Sequence, residues 1–272
     1  MDEKAMDQPF FEISDLTCVR GGKTILSGVG FTLRKGEVAA LLGQNGAGKS
    51  TLLKCIMRLL PAETSFRATL EGRDLAELSA RELAQKIVYV PQIQTQSFPF
   101  TVRQFIEAAR YAHQSPWNVL TSADRALCEK VLAQTGLSDF ADRPLSTLSG
   151  GELQRVWLAG ALAQNGEILL LDEAFSQMDY RNRAEIFALL HQLNREEEKT
   201  ILFITHEINE AVQNANRILT LKSGKLLFDG TTADFLASDW LETTFETSFL
   251  RIPHPELPFP AVLPIKQLNE MP

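Results

Sequence analysis

Apolar and polar positions along this chain switch between two periods. In FFEISDLTCV, Phe10 to Val19, they alternate, which predicts a half-buried strand. RGGK turns the chain, and GVGFTLRKGE carries a second strand to another turn. EVAALL, GEILLLDEA and KTILFITHE are apolar without alternation, and such short continuous runs predict strands buried on both faces. Helical spacing fills the intervals. TLLKCIMRLL presents Leu52, Leu53, Ile56, Leu59 and Leu60 on one face. VRQFIEAARYAH and ADRALCEKVLAQTGL make the stretch from Thr101 to Ser146 helical, without a convincing strand. Leu153, Val156, Trp157, Gly160 and Ala161 mark another helix, and RNRAEIFALLHQLNREEE and EINEAVQNA two more. ATLEGRDL reads as a short strand and turn, KIVYVPQ as a strand stopped by Pro91, and RILTLKSGKLLFDG as a hairpin. Buried strands alternating with helices predict an α/β fold, with a parallel sheet covered by helices. The β-rich start and the helical stretch are additions to that core. Six of the twelve prolines lie between Pro253 and Pro272, so the tail is expected to be extended.

Composition narrows the class. A chain of 272 residues with 44% hydrophobic content suits one large domain with a subdomain, or two small domains. A net charge of −7 argues against a broad nucleic-acid footprint. Cys18, Cys55 and Cys128 form no CxxC pair and are expected to be reduced. No apolar run reaches the length of a membrane span, and MDEKAMDQPF is not a signal peptide. The protein is expected to be soluble or peripheral, with any membrane role supplied by a partner.

Candidate chemistry begins at GQNGAGKS, Gly43 to Ser50, which fits the phosphate-loop pattern of a glycine, four residues, Gly-Lys and Ser or Thr. Backbone amides through Gly43, Gln44, Asn45, Gly46, Ala47 and Gly48 would face phosphate oxygens. Gly46 and Gly48 admit close approach, Lys49 neutralises β- and γ-phosphates, and the Ser50 hydroxyl ligates Mg²⁺. Thr51 lies at the edge of this site and reads as helix before ligand. A glycine-rich turn with a surface lysine would use the same residues, but the entering strand and leaving helix favour the phosphate reading.

ILLLDE, Ile168 to Glu173, is four apolar residues and two acids. Asp172 suits a Mg²⁺ contact, through water, and Glu173 suits a general base for an attacking water. His206 ends the apolar run TILFITH and could donate to a γ-phosphate. His113, His191 and His254 have no such setting and read as surface residues. Gln92, after Pro91, could touch the metal or its water. The charge run REEEK, Arg195 to Lys199, reads as a solvated helix end.

One helix start carries an anomaly. Ser149 and Glu152 form a capping box, which does not explain Gly150 and Gly151 in the first turn, since each glycine costs roughly 1 kcal/mol against alanine in a helix. Bare backbone at a helix N-terminus is an anion site. The stretch therefore reads as a second phosphate-binding surface, one that a second subunit could use.

LSGGELQR, with the phosphate loop, LLLDE, VPQ and ITHE in this order, resembles the ATP-binding-cassette (ABC) ATPases over roughly residues 10–236. The resemblance implies a P-loop (RecA-like) core with an N-terminal antiparallel β subdomain and an inserted α-helical subdomain. It places an ATP-binding domain at 9–237, its helical subdomain near 93–156, and a proline-rich tail at 238–272. It implies ATP and Mg²⁺ as cofactors, and a head-to-tail homodimer in the ATP-bound state. Lys49 and its loop from one subunit would face Ser149, Gly150 and Gly151 from the other. Gln92 matches the family's Q-loop, Asp179 its D-loop aspartate and His206 its H-loop histidine, so the implied catalytic set is Glu173, His206, Gln92 and Lys49. Two positions depart from the pattern. Arg20 stands where an aromatic usually stacks on adenine, a contact a guanidinium can also make, although a solvated turn arginine fits as well. AFSQMD replaces a commoner sequence after Glu173, so Gln177 and Met178 could alter cross-talk between the two sites.

Within the family, PFTVRQFIEAARYAHQSPW and the segment around LSGG look like subunits serving iron–siderophore, haem or cobalamin uptake, and the HPELPFPAVLP ending is similar to one common there. That implies permease subunits in the membrane, an extracytoplasmic substrate-binding protein acting indirectly, no nucleic acid, and a peripheral position on the cytoplasmic face of the inner membrane. A permease helix would dock beside Gln92, near Phe98 and Phe100. Another substrate, such as a metal or an oxyanion, is the alternative. A soluble ABC ATPase acting on DNA or ribosomes is disfavoured by the single cassette, the missing heptads and the negative charge.

Overall fold

A computed structural model describes residues 9–60, 64–92, 99–114, 119–176 and 178–265. In chain order its elements are β1 (Phe11–Arg20), β2 (Lys23–Leu33), β3 (Val38–Leu42), α1 (Lys49–Ile56), β4 (Thr64–Leu70), β5 (Arg73–Asp74), α2 (Ala80–Lys86), β6 (Ile87–Val90), α3 (Val102–Ala108) and α4 (Ser122–Gln134). They continue with α5 (Gly150–Gln164), β7 (Ile168–Asp172), α6 (Tyr180–Glu197), β8 (Thr200–Ile204), α7 (Ile208–Asn214), β9 (Arg217–Lys222), β10 (Lys225–Thr231), α8 (Thr232–Ala237), α9 (Trp240–Phe245), β11 (Ser248–Ile252) and β12 (Ala261–Ile265). Among the described residues, no helix is long and apolar enough to cross a membrane. The chain forms two units: Met1–Arg73 with Leu202–Pro272, and Asp74–Ile201.

In the first unit, β1 pairs antiparallel with β2 and β4. The alternation of β1 slips phase once. Phe11 and Ile13 face the core, then Leu16 and Cys18, because Asp15 takes a left-handed φ of 56° and the register shifts between Ile13 and Leu16. Such a bulge keeps both halves of the strand apolar on one face. β3 is buried at all five positions and runs parallel to β9. β9 and β10 form the expected hairpin, joined by Ser223-Gly224 with φ of 47° and 76°, the two positive values a tight two-residue turn needs.

Helix α1 is shorter than its apolar spacing suggests. It ends at Ile56, and Leu59 is 59% exposed, so Leu59 and Leu60 do not extend its buried face. Arg58 turns left-handed, while the Arg58 amide donates to Cys55 O and the Leu59 amide to Lys54 O, both at 2.9 Å. This pair of bonds is a Schellman stop. The tail combines helix α9 with an antiparallel hairpin, β11 and β12, whose inner side chains Phe249 and Val262 are buried.

In the second unit, β6 and β7 run parallel, with Val90 opposite Leu171. The helical spacing holds in α3, in a tighter turn at Ala109–His113 that continues it, and in α4. Helix α5 is buried at every residue from Leu158 to Ala163, so its apolar surface is wider than one stripe, as a helix enclosed by neighbours requires. Phe105 meets Trp157 edge-on at 5.0 Å. A Cβ at Gly160 would lie 2.9 Å from Phe105 Cε1, so this glycine sets how closely α3 approaches α5.

The far end of α5 is held by charge. Arg110 Nε donates to Asp124 Oδ1 at 2.8 Å and Arg110 Nη1 to Ala163 O at 2.7 Å. Asp124 Oδ2 accepts from the Thr121 hydroxyl at 2.7 Å and its amide at 3.0 Å. His113 is half-buried rather than a free surface residue: its Nε2 lies 2.7 Å from Gln164 O, and burial pushes its pKa down. Lys199 corrects the reading of REEEK as wholly solvated. Its ammonium donates to Asn165 Oδ1 at 2.8 Å and Gly166 O at 2.9 Å, tying down the turn after α5.

The Thr121 hydroxyl, with its amide and the Arg110 guanidinium, holds the Asp124 carboxyl at about 2, below 3.8. A depressed folded-state pKa contributes stability that is complete above the unfolded value and is lost as pH falls toward the folded one. Asp124→Asn is expected to cost ~3–5 kcal/mol near neutrality, because it leaves the Arg110 charge buried without its partner. In thermal unfolding, the Tm gap between wild type and variant should narrow as pH falls from 3.8 toward about 2. A constant gap would separate Asp124 ionisation from stability.

Candidate active site

The loop from Gly43 to Gly48 joins buried β3 to α1, and its backbone explains its glycines. Gly43 has φ of 148°, Gly46 79° and Gly48 106°. A Cβ at Gly43 would lie 2.2 Å from Leu221 O, and one at Gly48 2.8 Å from Leu26 Cδ2. Gln44, Asn45 and Gly46 are exposed, and Ala47 is buried beneath them. Helix α1 starts at Lys49 with left-handed Gly48 as its N-cap and no side-chain cap bond. Its first amides, near Ser50 and Thr51, carry the partial positive charge of a helix start, which suits an anion. Lys49 is 5% exposed, and its Nζ donates to Gly43 O at 2.7 Å and Gln44 O at 3.1 Å. The ammonium is thus stored inside the loop it would serve.

Two further residues of this unit reach the loop, Gly224 through its amide and Glu246 through the Gln44 side chain. The Gly224 amide donates to Ala47 O at 3.1 Å. Glu246, at the end of α9, reaches Lys222 Nζ at 2.6 Å, and the hydrogen bond and charge of Lys222, with the Gln44 side chain, hold its carboxyl below the usual range. His206 follows β8 and is exposed, its Nε2 3.6 Å from Glu207 Oε1. Arg20 is exposed at the end of β1, where Gly21-Gly22 turns into β2.

The second unit brings its acids together at the carboxyl ends of β6 and β7, where open α/β sheets bind ligands. Gln92 Nε2 donates to Glu173 Oε2 at 3.0 Å. Asp172 is 1% exposed, and the Tyr89 hydroxyl donates to its Oδ2 at 2.9 Å. Burial first, and then the Asp172 charge, push the Tyr89 phenol well above its ordinary pKa, so it remains a donor. Glu173 has φ of 49°. A left-handed non-glycine residue directly after a buried strand is strained, and such strain concentrates at functional positions.

Ser149 caps α5 as the spacing predicts: its amide donates to Glu152 Oε2 at 2.6 Å and the Glu152 amide to Ser149 Oγ at 3.3 Å. Ser149, Gly150, Gly151 and Asp179 line one open cavity of about 740 Å³, with Arg155 and Asn182. Asp179 is the N-cap of α6, accepting from the Asn182 amide and side chain, each at 2.8 Å. Asn182 in turn accepts from Arg155. A second groove of about 320 Å³ is lined by Tyr89, Phe100, Phe105 and Trp157. Phe98 and Gln177 lie outside the described residues, and Met178 is buried. Tyr89, Arg155 and Asn182 are the site residues that sequence reasoning missed. Only Tyr89 carries a signal, as a polar-tipped residue in an apolar strand.

The two loop glycines differ in what they forbid. A Cβ added at Gly46 would meet no atom within 4 Å beyond its chain neighbours, so Gly46→Ala should cost only the left-handed backbone penalty of roughly 1–2 kcal/mol. Gly43→Ala must also displace Leu221 and should lower Tm clearly more. Equal Tm losses in thermal unfolding would mean that the Leu221 backbone yields.

Comparison with known proteins bears on the same residues. Residues 26–176 match the family model described as ABC transporter. The iron(3+)-hydroxamate import ATP-binding protein FhuC of Bacillus subtilis (strain 168) is 34% identical over 226 residues, which is 83% of this chain and 84% of that protein. A metal-chelate type ABC transporter solved in an inward-facing conformation matches with a TM-score of 0.81 at 26% identity, covering 96% of this chain and 99% of that one. The dimeric structure of MJ0796, a bacterial ABC transporter cassette, matches with a TM-score of 0.72 at 28% identity, covering 82% of this chain and 98% of that one. A family match across more than half the sequence, joined to a relative similar along most of both chains, leaves one assignment: this chain belongs to the ABC transporter family and is one of its ATP-binding, ATP-hydrolysing subunits.

Proposed function

We propose that this subunit powers the import of an iron–siderophore or a related metal chelate through a membrane permease. The substrate class is supported by FhuC, an iron(3+)-hydroxamate import protein, and by the metal-chelate transporter. The observation that carries the ATP chemistry is the loop with its buried lysine. Lys49 already sits among loop carbonyls at 2.7 and 3.1 Å, and phosphate oxygens would replace those carbonyls as its acceptors. The amides of Gly43 to Gly48 and the start of α1, through Ser50 and Thr51, take the remaining phosphate charge. The exposed guanidinium of Arg20 would stack on adenine.

Mg²⁺ fits the donors available. Ser50, Gln92 and Asp172 offer hard oxygen atoms, with one carboxylate among them, which suits an ion that keeps water and phosphate in its shell. The metal would neutralise charge developing between the β- and γ-phosphates. Tyr89 orients the Asp172 carboxylate. Glu173, held by Gln92, takes the proton of the attacking water, and His206 donates to the γ-phosphate.

A second copy would supply Ser149, Gly150, Gly151 and Asp179. The dimeric cassette among the structural relatives supports this arrangement, as does the open cavity that these four residues line. Closing and reopening of such a dimer moves a permease attached to it. The groove of Tyr89, Phe100, Phe105 and Trp157 is the docking place for a permease helix, and it gives the subunit a peripheral position at the inner membrane.

Glu173→Gln should retain ATP affinity, lose roughly 10²–10⁴-fold in turnover, and elute as a dimer with ATP in size-exclusion chromatography. Wild-type turnover would remove Glu173 from the base role. Affinity capture from detergent-solubilised native membranes should bring down a multi-span permease in stoichiometric amount. A soluble partner with nothing from the membrane would overturn the transport reading.

A further inference from the structure

We propose that Asn209 is a positioning residue for His206, acting through a brace between α7 and the tail hairpin; this rests on the γ-phosphate role given to His206 above. The two residues are three apart in sequence. His206 stands in the short link between β8 and α7, where the Glu207 amide donates to Thr205 Oγ1 at 3.1 Å. Helix α7 then runs for seven residues, and Glu207, its N-cap, makes no side-chain cap bond. A helix this short has little stability of its own, and its placement comes from what packs against it.

One side of α7 buries Ala211 and Val212. The other side is held by amides. Asn209 Nδ2 donates to Val262 O at 2.9 Å, and Asn209 Oδ1 accepts from the Val262 amide at 2.7 Å. The primary amide thereby imitates a strand partner for β12. One turn further on, Gln213 Nε2 donates to Phe259 O at 3.1 Å. Residues four apart share a helix face, so Asn209 and Gln213 form one row of contacts along the hairpin.

The hairpin is itself anchored. On β11, Arg251 Nε donates to Leu236 O at 2.7 Å and Nη2 to Ser238 O at 3.2 Å. The same guanidinium grips both oxygens of Glu242 at 2.7 and 3.1 Å. A planar fork held at four acceptors fixes direction as well as distance. A connected path therefore runs from α8 and α9 through β11 and β12 to Asn209, and from there to the start of α7. The tail beyond Ser238 is a brace for the loop that carries His206. Without the Asn209 pair, α7 would keep its apolar contacts but lose the end of its link to the hairpin that lies nearest that loop.

The test uses the full-length chain and reads ATP turnover, fluorescent-ATP binding and amide hydrogen exchange. Asn209→Ala should lower kcat on the order of ten-fold, as expected for a misplaced catalytic group, with KM and ATP affinity changed by less than about two-fold. The Val262 amide should exchange faster. Asn209→Asp keeps the acceptor for the Val262 amide and should fall between wild type and Asn209→Ala. In a His206→Ala background, Asn209→Ala should add no further loss, since the two act as one unit. If the alanine variant does not fold, Val262→Pro removes one of the two bonds from the opposite side and, like Asn209→Asp, should give a smaller loss in kcat. A normal kcat in Asn209→Ala or Val262→Pro beside an impaired His206→Ala overturns the brace alone. Additive losses in the double variant also overturn it, leaving Asn209 a merely structural residue. A normal kcat in His206→Ala would instead remove the γ-phosphate role, and the inference with it.

Discussion

The phosphate loop depends on backbones that approach one another more closely than any side chain permits. A Cβ at Gly43 would lie 2.2 Å from Leu221 O, and one at Gly224 would lie 2.2 Å from Ile25 O. Gly224 joins both neighbours: its amide donates to Ala47 O at 3.1 Å and its carbonyl accepts from the Ser27 amide at 2.9 Å. The end of β9, the hairpin turn that follows it and the strand β2 are thus packed on the loop by main-chain atoms. Main-chain contacts of this kind are insensitive to rotamer changes. They hold the loop amides in a fixed array before any anion arrives, the preorganisation that electrostatic catalysis needs.

The same economy separates the two helix starts. Helix α1 has Gly48 as N-cap and no side-chain cap bond, whereas α5 has a full box between Ser149 and Glu152. A helix that received a phosphate at its start, as proposed for α1, would do best without a competing side chain. One whose anion would come from a second copy must hold its start in the meantime, and the box does this. It also fixes Glu152 as an anion: hydrogen bonds from Ser149 keep its carboxyl below the usual range. The charge of Glu152 partly neutralises the helix start, so α5 would attract an anion less strongly than α1.

Much of this was legible in the sequence, and for reasons that can be named. Continuous apolar runs gave β3, β7 and β8, because strands buried on both faces leave no polar position to confuse the pattern. GQNGAGKS was readable because Gly43, Gly46 and Gly48 all take positive φ, and LSGGE because Ser149 and Glu152 stand at capping-box spacing. What escaped depends on contacts distant in sequence or on unusual backbone. Leu59 looked like a continuation of α1, but the stop is made by Arg58 in a left-handed turn that usually takes glycine. Lys199 looked solvated because Asn165 and Gly166, its partners, lie more than thirty positions away. Tyr89 reaches Asp172 across the β6–β7 pair, a contact no spacing rule reveals. Prolines in the tail spoke for extension, and the hairpin accommodates Pro264 opposite Phe249, since a two-stranded sheet is all edge.

The strain at Glu173 follows from the same logic. Asp172 is the last residue of a strand buried at every position, so the chain must leave the sheet in one step. The left-handed turn at Glu173 makes that step, and its carbonyl accepts from the Ser176 amide at 3.3 Å. An extended residue there would continue the strand and send its carboxylate along the alternation of β7. The turn instead directs it to Gln92, at 3.0 Å. The two acids are adjacent in sequence, yet Tyr89 donates to Asp172 and Gln92 to Glu173. Neighbouring carboxylates that shared one site would repel and exchange roles by titration. A single strained peptide separates them, which is what the proposed division of labour, one acid for a metal and the other for a proton, would need.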